Sequence, residues 1–273
     1  MMYFKLYVAP SGVASRYIAL ETIGSLRVEI DSPKTEYEYI MHKKCTVDYT
    51  GLFVFKNRYY FFSNSGFEKS RGNNYIMVTD SLFNPIFEGW KCNFRTHQFL
   101  SVAENTYNVN NRVFTHHYLQ PYIYEITDSN CKLHATLSFE GFAFPALPGS
   151  SSDQEQSQYM DELDNSSEKI AAYGIFESND IRFIQLFVGK RPYFAIHNKM
   201  TNMSAIFDAK NYVNSMGLDA GPLPVGATGE EIVCMITASQ KINRENIRDP
   251  AFAEIVGNMK EDDNPVLCFF KWK

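Results

Sequence analysis

Short apolar runs broken by polar turns recur along the chain and predict β-strands. The stretch Arg112–Phe139 is the clearest case, because its β-branched and aromatic residues fall into three runs with turn-forming residues between them. The predicted strands are Val113–Tyr118, Tyr122–Ile126 and Lys132–Phe139. Thr106–Val109 precedes them as a first strand or an outer connection. The stretch therefore predicts a small antiparallel sheet.

The middle strand of this unit has counterparts on both sides. Tyr75–Ser81 and Tyr193–Lys199 each begin with an aromatic residue, alternate in polarity and lead through a polar turn into another apolar strand. The downstream unit also has clear turns at Ser178-Asn179-Asp180 and at Asn198–Asn202. A repeating unit of about 40–50 residues with four strands is typical of a propeller blade. The predicted fold is therefore all-β, a β-propeller with about four to five recognisable blades.

The repeat divides the chain into predicted segments of one propeller domain. These are a partial blade at 1–44, blades at 45–96, 97–147 and 169–212, an acidic surface loop at 148–168, and a last blade with one short helix at 213–273. In that helix the apolar positions recur at helical spacing: Phe252, Ile255, Val256 and Met259. Asp249 suits its N-cap and Pro250 its first position. We expect this face to pack against a sheet edge.

The segment 148–168 carries the excess negative charge of the chain. The net charge is −5 at pH 7, and this segment holds six acidic residues without a Lys or Arg. A surface loop is the simplest interpretation, and a short amphipathic helix around Tyr159, Met160 and Leu163 is the alternative. The remainder is close to neutral, which gives no reason to expect nucleic acid as a partner.

Side chains that commonly form catalytic or metal sites are scattered. The five cysteines have no Cys-x-x-Cys spacing and are predicted to be buried or half-buried free thiols. His116 and His117 are neighbours in one strand and should face opposite sides, one outward and one in a contact between blades. His197 lies near a turn with no spaced partner. We predict no catalytic residue, no metal site and no cofactor.

The loop Met216–Pro222 is dense in residues that permit unusual backbone angles. Loops on one face of a propeller surround the central channel, where ligands usually bind. The candidate ligand-binding residues are therefore Asp219, Gly221 and Pro222, together with Tyr124, whose ring suits stacking on a sugar. The structural alternatives are a turn that links two blades and packing of Tyr124 between blades.

The carboxy-terminal run Met259–Leu267, ending in Asn-Pro-Val-Leu, resembles the end of a family of Bacteroidetes proteins described as six-bladed β-propellers. Tyr122–Ile126 is similar to the penultimate blades of that family, and Leu218–Pro222 to the loop before its last blade. The resemblance covers about 45–273. Many members are exported, often as lipoproteins, so it implies a periplasmic or cell-surface location.

The amino terminus departs from the family pattern. Family members carry an export signal and further blades ahead of this region, whereas residues 1–17 lack the basic and apolar regions of a signal peptide. No run is long enough to span a membrane. We expect the native chain to extend upstream; closure with fewer blades is the alternative.

Together these features predict a non-enzymatic ligand-binding or scaffold propeller of the cell envelope. Its expected partner is a small molecule, a glycan or a protein. The alternative is a propeller hydrolase or lyase acting on glycans or peptides, and a protein-interaction platform is a third possibility. Whether the chain is an enzyme stays open, with binding favoured.

Overall fold

The structure is a computed structural model. It describes residues 2–8, 16–22, 38–45, 51–62, 74–82, 84–91, 106–146, 152–211, 223–237, 250–260 and 265–270, with the backbone alone through residue 45. These stretches form antiparallel β-sheets and, within the described part, two α-helices. The chain divides into two compact units, Met1–Phe99 and Leu100–Lys273.

The first unit contains two sheets. The first sheet has three strands in the order β2-β1-β3: β1 (Met2–Val8), β2 (Arg16–Thr22) and β3 (Glu38–Cys45). The second sheet is a four-stranded meander: β4 (Gly51–Phe55), β5 (Arg58–Phe62), β6 (Asn74–Thr79) and β7 (Pro85–Lys91). Such a meander is the expected form of a propeller blade.

The second unit contains three more sheets, each with its strands in sequential order. The third sheet consists of β8 (Thr106–Val109), β9 (Arg112–His116), β10 (Tyr122–Ile126) and β11 (Cys131–Thr136). The fourth sheet consists of β12 (Ile170–Glu177), β13 (Ile181–Val188), β14 (Arg191–Asn198) and β15 (Met203–Asp208). The fifth sheet consists of β16 (Leu223–Ala227), β17 (Ile232–Ile236) and β18 (Val266–Phe270). The second to fifth sheets each fall inside one predicted segment.

Two hairpins owe their tight turns to residues that tolerate positive φ. Lys56 and Asn57 have φ of 48° and 60°, and Asn110 and Asn111 have φ of 51° and 61°. Two consecutive positive φ values define a type I′ turn, whose twist matches that of the flanking strands. Each turn therefore joins two strands without an intervening loop and fixes their register.

The fourth sheet lies between the third and the fifth. On one side it shares a core with the third sheet, where Tyr173 and Leu186 pack with Phe114 and Ile123. A second cluster joins the fourth sheet to the fifth sheet: Phe176, Phe183, Phe194, Ile232 and Cys234. Strand β12 is buried along its whole length and contacts β8 and β16. These three strands are therefore adjacent at one edge of the packed sheets, as the inner strands of propeller blades are.

The predicted acidic loop at 148–168 contains a helix, so this prediction was wrong. Helix α1 runs from Asp153 to Asp164, and its N-cap Ser152 forms a capping box with Glu155. The proposed alternative fits, because Met160 and Leu163 are each 1% exposed. The capping box and two buried apolar residues stabilise the helix despite its polar composition.

Helix α2 begins at Pro250, as the pattern predicted, but it ends at Asn258, before Met259 of the predicted face. Its proposed N-cap lies outside the described residues. Its predicted apolar face is only partly correct. Val256 is buried, whereas Ile255 is 51% exposed. The chain therefore has two described α-helices where the sequence predicted one.

A glycine in the turn between β13 and β14 packs directly under the end of α1. Gly189 has φ of +55°, and a Cβ added there would lie 2.3 Å from the carbonyl oxygen of Ser166. Gly141 also has positive φ, +82°, but an added Cβ would have no neighbour within 4 Å. Substitutions at the two positions can therefore separate the effect of backbone strain, which both share, from that of steric clash, which only Gly189 has.

We expect Gly189→Ala to lower the free energy of unfolding by about 2–3 kcal/mol and Gly141→Ala by about 1 kcal/mol. Both variants carry the strain of positive φ, but Gly189→Ala must also displace backbone. Urea denaturation of the two variants beside the parent chain measures the difference. Equal losses would contradict the close packing of Gly189 against Ser166.

Candidate functional site

Only one of the four sequence-predicted site residues lies in a described stretch. Asp219, Gly221 and Pro222 fall in 212–222, outside the described residues, so their role stays a prediction. Tyr124 lies half-buried in β10, and its ring centroid is 6.3 Å from that of Tyr122 in an edge-on arrangement. Its packing beside another aromatic ring on the same strand does not by itself indicate a ligand.

A row of polar residues crosses the fourth sheet. Glu177 in β12 pairs in register with Arg182 in β13, Arg182 with His197 in β14, and His197 with Ser204 in β15. Directly paired residues of an antiparallel sheet project from the same face. The four side chains therefore form one continuous line across the sheet, which we call the polar row.

The members of the polar row contact one another. Glu177 accepts hydrogen bonds from Nε of Arg182 at 2.7 Å and from its Nη2 at 3.2 Å. At the other end, Nδ1 of His197 lies 2.9 Å from Oγ of Ser204. The row thus joins an ion pair at one end to a neutral hydrogen-bonded pair at the other.

Glu177 is the centre of a larger buried network. The hydroxyl of Tyr107, from the third sheet, donates to its Oε2 at 2.9 Å, and Nζ of Lys199 donates to its Oε1 at 3.0 Å. Lys199 also donates to the carbonyl of Ser178. The Glu177 side chain is 3% exposed, so its charge is compensated by these partners rather than by water.

The electrostatics of this network favour an ionised carboxylate. Burial alone would raise the pKa of Glu177, but the hydrogen bonds and charges of Arg182 and Lys199 outweigh it and lower that pKa. Burial also raises the pKa of the Tyr107 hydroxyl well above its usual value, and the charge of Glu177 adds to this. At neutral pH the network therefore holds one anion, two cations and a neutral phenol.

A cleft of about 450 Å³ opens beside the polar row, between the fourth sheet and the segment that follows β11. Its polar lining residues are Thr136, Ser138, Glu140, Arg182, His197 and Ser204. Its apolar lining residues are Leu137, Phe139, Ile184, Ala195, Ile196, Ala205 and Ile206. Ligand pockets typically measure about 300–1,000 Å³ and combine an apolar surface with a few converging polar groups. This cleft has both properties.

The cleft presents a guanidinium that its neighbours use only in part, beside a hydrogen-bonded imidazole and hydroxyl. Glu177 accepts hydrogen bonds from Nε and from one Nη2 hydrogen of Arg182, whereas Nη1 makes no hydrogen bond with a described residue. Burial lowers the pKa of His197, and the nearby charge of Arg182 lowers it further, so the imidazole is neutral at pH 7. The cleft therefore offers a cationic fork beside a neutral imidazole and a hydroxyl.

His116 and His117 differ from their prediction, since both are buried, at 0% and 3% exposure. His116 stacks on Tyr173 of the fourth sheet at 4.5 Å between ring centroids, so it does form a contact between sheets. Neither of its ring nitrogens has a hydrogen-bond partner in the described part of the chain. Nδ1 of His117 accepts from the backbone N–H of Leu119 at 3.2 Å. No residue of the cleft lining is among these contacts.

The cysteines within the described stretches are free thiols: Cys131, Cys234 and Cys268. Cys234 is buried and the other two are half-buried, and burial raises the pKa of Cys234 to about 12. A thiol with so high a pKa is a poor nucleophile at neutral pH. The described residues contain no group of three or more His, Cys, Asp or Glu side chains that could hold a metal ion.

Part of this site could be predicted from the sequence. A short hairpin loop fixes the register of its strands, so the predicted turns at 178–180 and 198–202 would pair Glu177 with Ile181 and His197 with Met203. The observed partners, Arg182 and Ser204, are each one residue further along. A shift of one residue moves a side chain to the other face of the sheet, so the polar row follows only from the observed register. The contact with Tyr107 had no local signal, since it is 70 residues from Glu177.

Residues 34–235 match the model of a family described as a 6-bladed β-propeller. The chain belongs to this family. The match includes the second to fourth sheets with the polar row, and it confirms the predicted all-β propeller fold. It ends before the carboxy-terminal run on which part of the resemblance was based. No protein of curated function matches the chain.

A similar solved structure is that of a Bacteroides fragilis protein inferred to be exported. The two share 20% sequence identity with a TM-score of 0.71, over 87% of this chain and 69% of that one. At this identity the likeness establishes the shared fold. In the described stretches of this chain, no helix is long and apolar enough to cross a bilayer.

Proposed function

We propose that this chain is a non-enzymatic ligand-binding propeller domain of the bacterial cell envelope, and that its ligand occupies the cleft beside the polar row. The cleft is the observation that carries the proposal. It brings Arg182, His197 and Ser204 together over an apolar surface, and its volume suits a small molecule or the end of a glycan or peptide.

Binding is favoured over hydrolysis by the carboxylates of the cleft. Hydrolysis of a glycosidic bond ordinarily needs two carboxyl groups about 5–10 Å apart, one of them available as an acid. Among the described lining residues Glu140 is the single carboxylate. Glu177, on the same sheet as the cleft, is held ionised by Arg182 and Lys199 and is not part of the lining.

The envelope location is supported by the family resemblance and by the export inferred for the Bacteroides fragilis protein of the same fold. Fractionation of the source cells, with an antibody against this chain, tests it. We expect the full-length product in the periplasmic or membrane fraction. Recovery of the product in the cytosol would contradict an envelope role.

Ligand binding is tested by thermal denaturation with a panel of glycans, peptides and small metabolites, with product analysis of each positive sample. A ligand at about 100 times its Kd stabilises the chain by about 2.7 kcal/mol, which raises the Tm by several degrees. We expect stabilisation without turnover. Detection of product would instead favour the hydrolase or lyase alternative.

A blocking variant locates the ligand. Ser204 is exposed on strand β15 and its side chain projects from the face of the polar row, so Ser204→Phe should fill the cleft and abolish the ligand-dependent rise in Tm. Thr201→Phe places the same side chain on an exposed turn outside the lining and serves as the matched control. Equal responses of the two variants would show that the ligand binds elsewhere.

A further inference from the structure

We propose that the cleft binds the carboxylate group of a small organic acid, with the guanidinium of Arg182 as its main partner. This inference rests on the proposed ligand-binding function and specifies its ligand class. It is carried by three observations: the free edge of the Arg182 fork, the charge balance of the Glu177 network and the neighbouring groups of the polar row.

One of the two binding edges of the Arg182 guanidinium is occupied by Glu177, and the other is open to a ligand. An arginine side chain presents five N–H donors in a fixed planar fork that can bind carboxylates on two edges. Glu177 takes the edge formed by Nε and Nη2, at 2.7 and 3.2 Å. The edge formed by Nη1 and the second Nη2 hydrogen has no described partner, and Arg182 lines the cleft while Glu177 does not. A second carboxylate can therefore bind that edge with two parallel hydrogen bonds.

The Arg182 guanidinium is also already oriented in the absence of a ligand. The side chain of Arg182 is 10% exposed, and its ion pair with Glu177 spans adjacent strands of one sheet. Tyr107 fixes the carboxylate of Glu177 from the third sheet. Because the guanidinium is already oriented, a ligand loses little of its binding energy to ordering the side chain.

The charge balance favours an anion. Within the network Glu177 contributes one negative charge, while Arg182 and Lys199 contribute two positive charges. The half-buried Lys199 is 24% exposed, so water screens its charge only in part. Among the described residues, Glu140 also lines the cleft, but it forms no ion pair with Arg182 and leaves the free edge of the guanidinium open. One additional carboxylate at that edge would balance the Glu177 network.

The remaining polar groups define the rest of the ligand. His197 and Ser204 continue the polar row beyond Arg182 and offer hydrogen bonds to a hydroxyl or to the second carboxylate oxygen. Glu140 also lines the cleft and would repel a second negative charge. The expected ligand is therefore a monocarboxylate that carries hydroxyl or ammonium groups, which uronic acids and the carboxyl ends of short peptides share.

Calorimetric titration of the full chain with matched acid and neutral probes tests the proposal. The probes are glucuronate with glucose, and alanyl-alanine with its carboxyl-terminal amide. We expect at least one acid to bind at least about tenfold more tightly than its neutral partner, as a charge-assisted hydrogen bond requires. Preference for glucuronate would indicate a sugar-acid ligand, and preference for the dipeptide a peptide end.

Arg182→Lys tests the role of the fork. Lysine retains the positive charge opposite Glu177 but has no second edge, so the acid should bind at least about tenfold more weakly and the neutral partner without change. If this variant fails to fold, Ser204→Phe provides the test, because Ser204 makes no hydrogen bond to the described residues of the Glu177 network and a phenyl ring there should abolish binding of the acid.

Three results would overturn the proposal. The first is equal affinity for an acid and its neutral partner, and the second is unchanged acid binding by a folded Arg182→Lys or by Ser204→Phe. The third is the absence of acid binding while a neutral ligand from the wider panel still binds in the cleft. That result would leave the ligand-binding function standing, whereas failure of every ligand in the wider panel would contradict that function itself.

Discussion

Replacing Glu177 by glutamine is expected to lower the free energy of unfolding by about 3–5 kcal/mol at pH 7. Glutamine has nearly the same shape as glutamate, so packing is conserved and the charge alone is lost. Arg182, whose side chain is 10% exposed, and Lys199, at 24%, would then carry two uncompensated positive charges beside a neutral amide. Removing one partner of a buried ion pair is costly because the other charge cannot regain its hydration.

The chain provides a matched control for this substitution. Arg112 donates to Glu125 through both Nε and Nη2, so the pair has the same two-bonded arrangement as Arg182 and Glu177. Its side chains are 47% and 22% exposed, however, and water can replace the lost charge. Glu125→Gln should therefore change the free energy of unfolding by about 1 kcal/mol or less.

Urea denaturation of the two variants at low and high salt measures the contrast. We expect the loss in Glu177→Gln to persist at high salt, because ions do not reach a buried site, while the smaller effect of Glu125→Gln diminishes. Losses of similar size would show that Glu177 is hydrated in solution. The fixed guanidinium on which the carboxylate-binding proposal depends would then lose its support.

The strands could be predicted from the sequence, whereas the site could be predicted only in part, and the reason is physical. Strands such as Tyr122–Ile126 are specified locally, by alternating side chains and by the turn formers that bound them. The site is a product of register and of sheet packing. Glu177 meets Arg182 across a short hairpin that the sequence predicts to within one residue of register, but it meets Tyr107 only because the third sheet packs on the fourth.

Helix α1 shows how composition can mislead. Its segment is acidic and rich in serine, which favoured a loop, yet Ser152 and Glu155 stand at the capping-box spacing and Met160 and Leu163 lie on one helical face. These two local signals outweigh average composition, because a capped helix needs only a narrow apolar stripe to dock. The burial of both His116 and His117 had no such signal, since it depends on packing between sheets.

Acidification from pH 7 to pH 4.5 is expected to destabilise the chain by several kcal/mol, through the two buried histidines. Burial lowers the pKa of His116 to about 3, with a contribution from neighbouring His117, and burial lowers that of His117 to about 4. In the unfolded chain both return to about 6.5. Between these values the unfolded state binds protons that the folded state excludes, so stability is complete above about pH 6.5 and falls as pH decreases.

The expected loss at pH 4.5 is about 2–3 kcal/mol for each histidine, from about 1.4 kcal/mol per pH unit. Glu177 acts in a different pH window, because the ordinary pKa of a carboxyl group is lower than that of an imidazole. Arg182 and Lys199 lower the pKa of Glu177 further, so its contribution to stability is lost only as pH falls below the usual carboxylate range. Unfolding free energies measured from pH 7 to 4.5 therefore report mainly the histidines.

His116→Phe separates the contribution of His116 from the rest. Phenylalanine keeps an aromatic ring against Tyr173, and no hydrogen bond to a described residue is lost, because the ring nitrogens of His116 have none there. The pH slope of the unfolding free energy between pH 6.5 and 4.5 should fall by up to about half, since His117 and, to a smaller extent, His134 and His197 supply the remainder. His134 is exposed, and burial and the charges of Arg182 and Arg112 lower its pKa less than burial lowers that of His116, so His134→Gln should reduce the slope by a smaller amount. An unchanged slope in His116→Phe would mean that acid reaches His116 without unfolding, and that the contact between the third and fourth sheets opens in the folded chain.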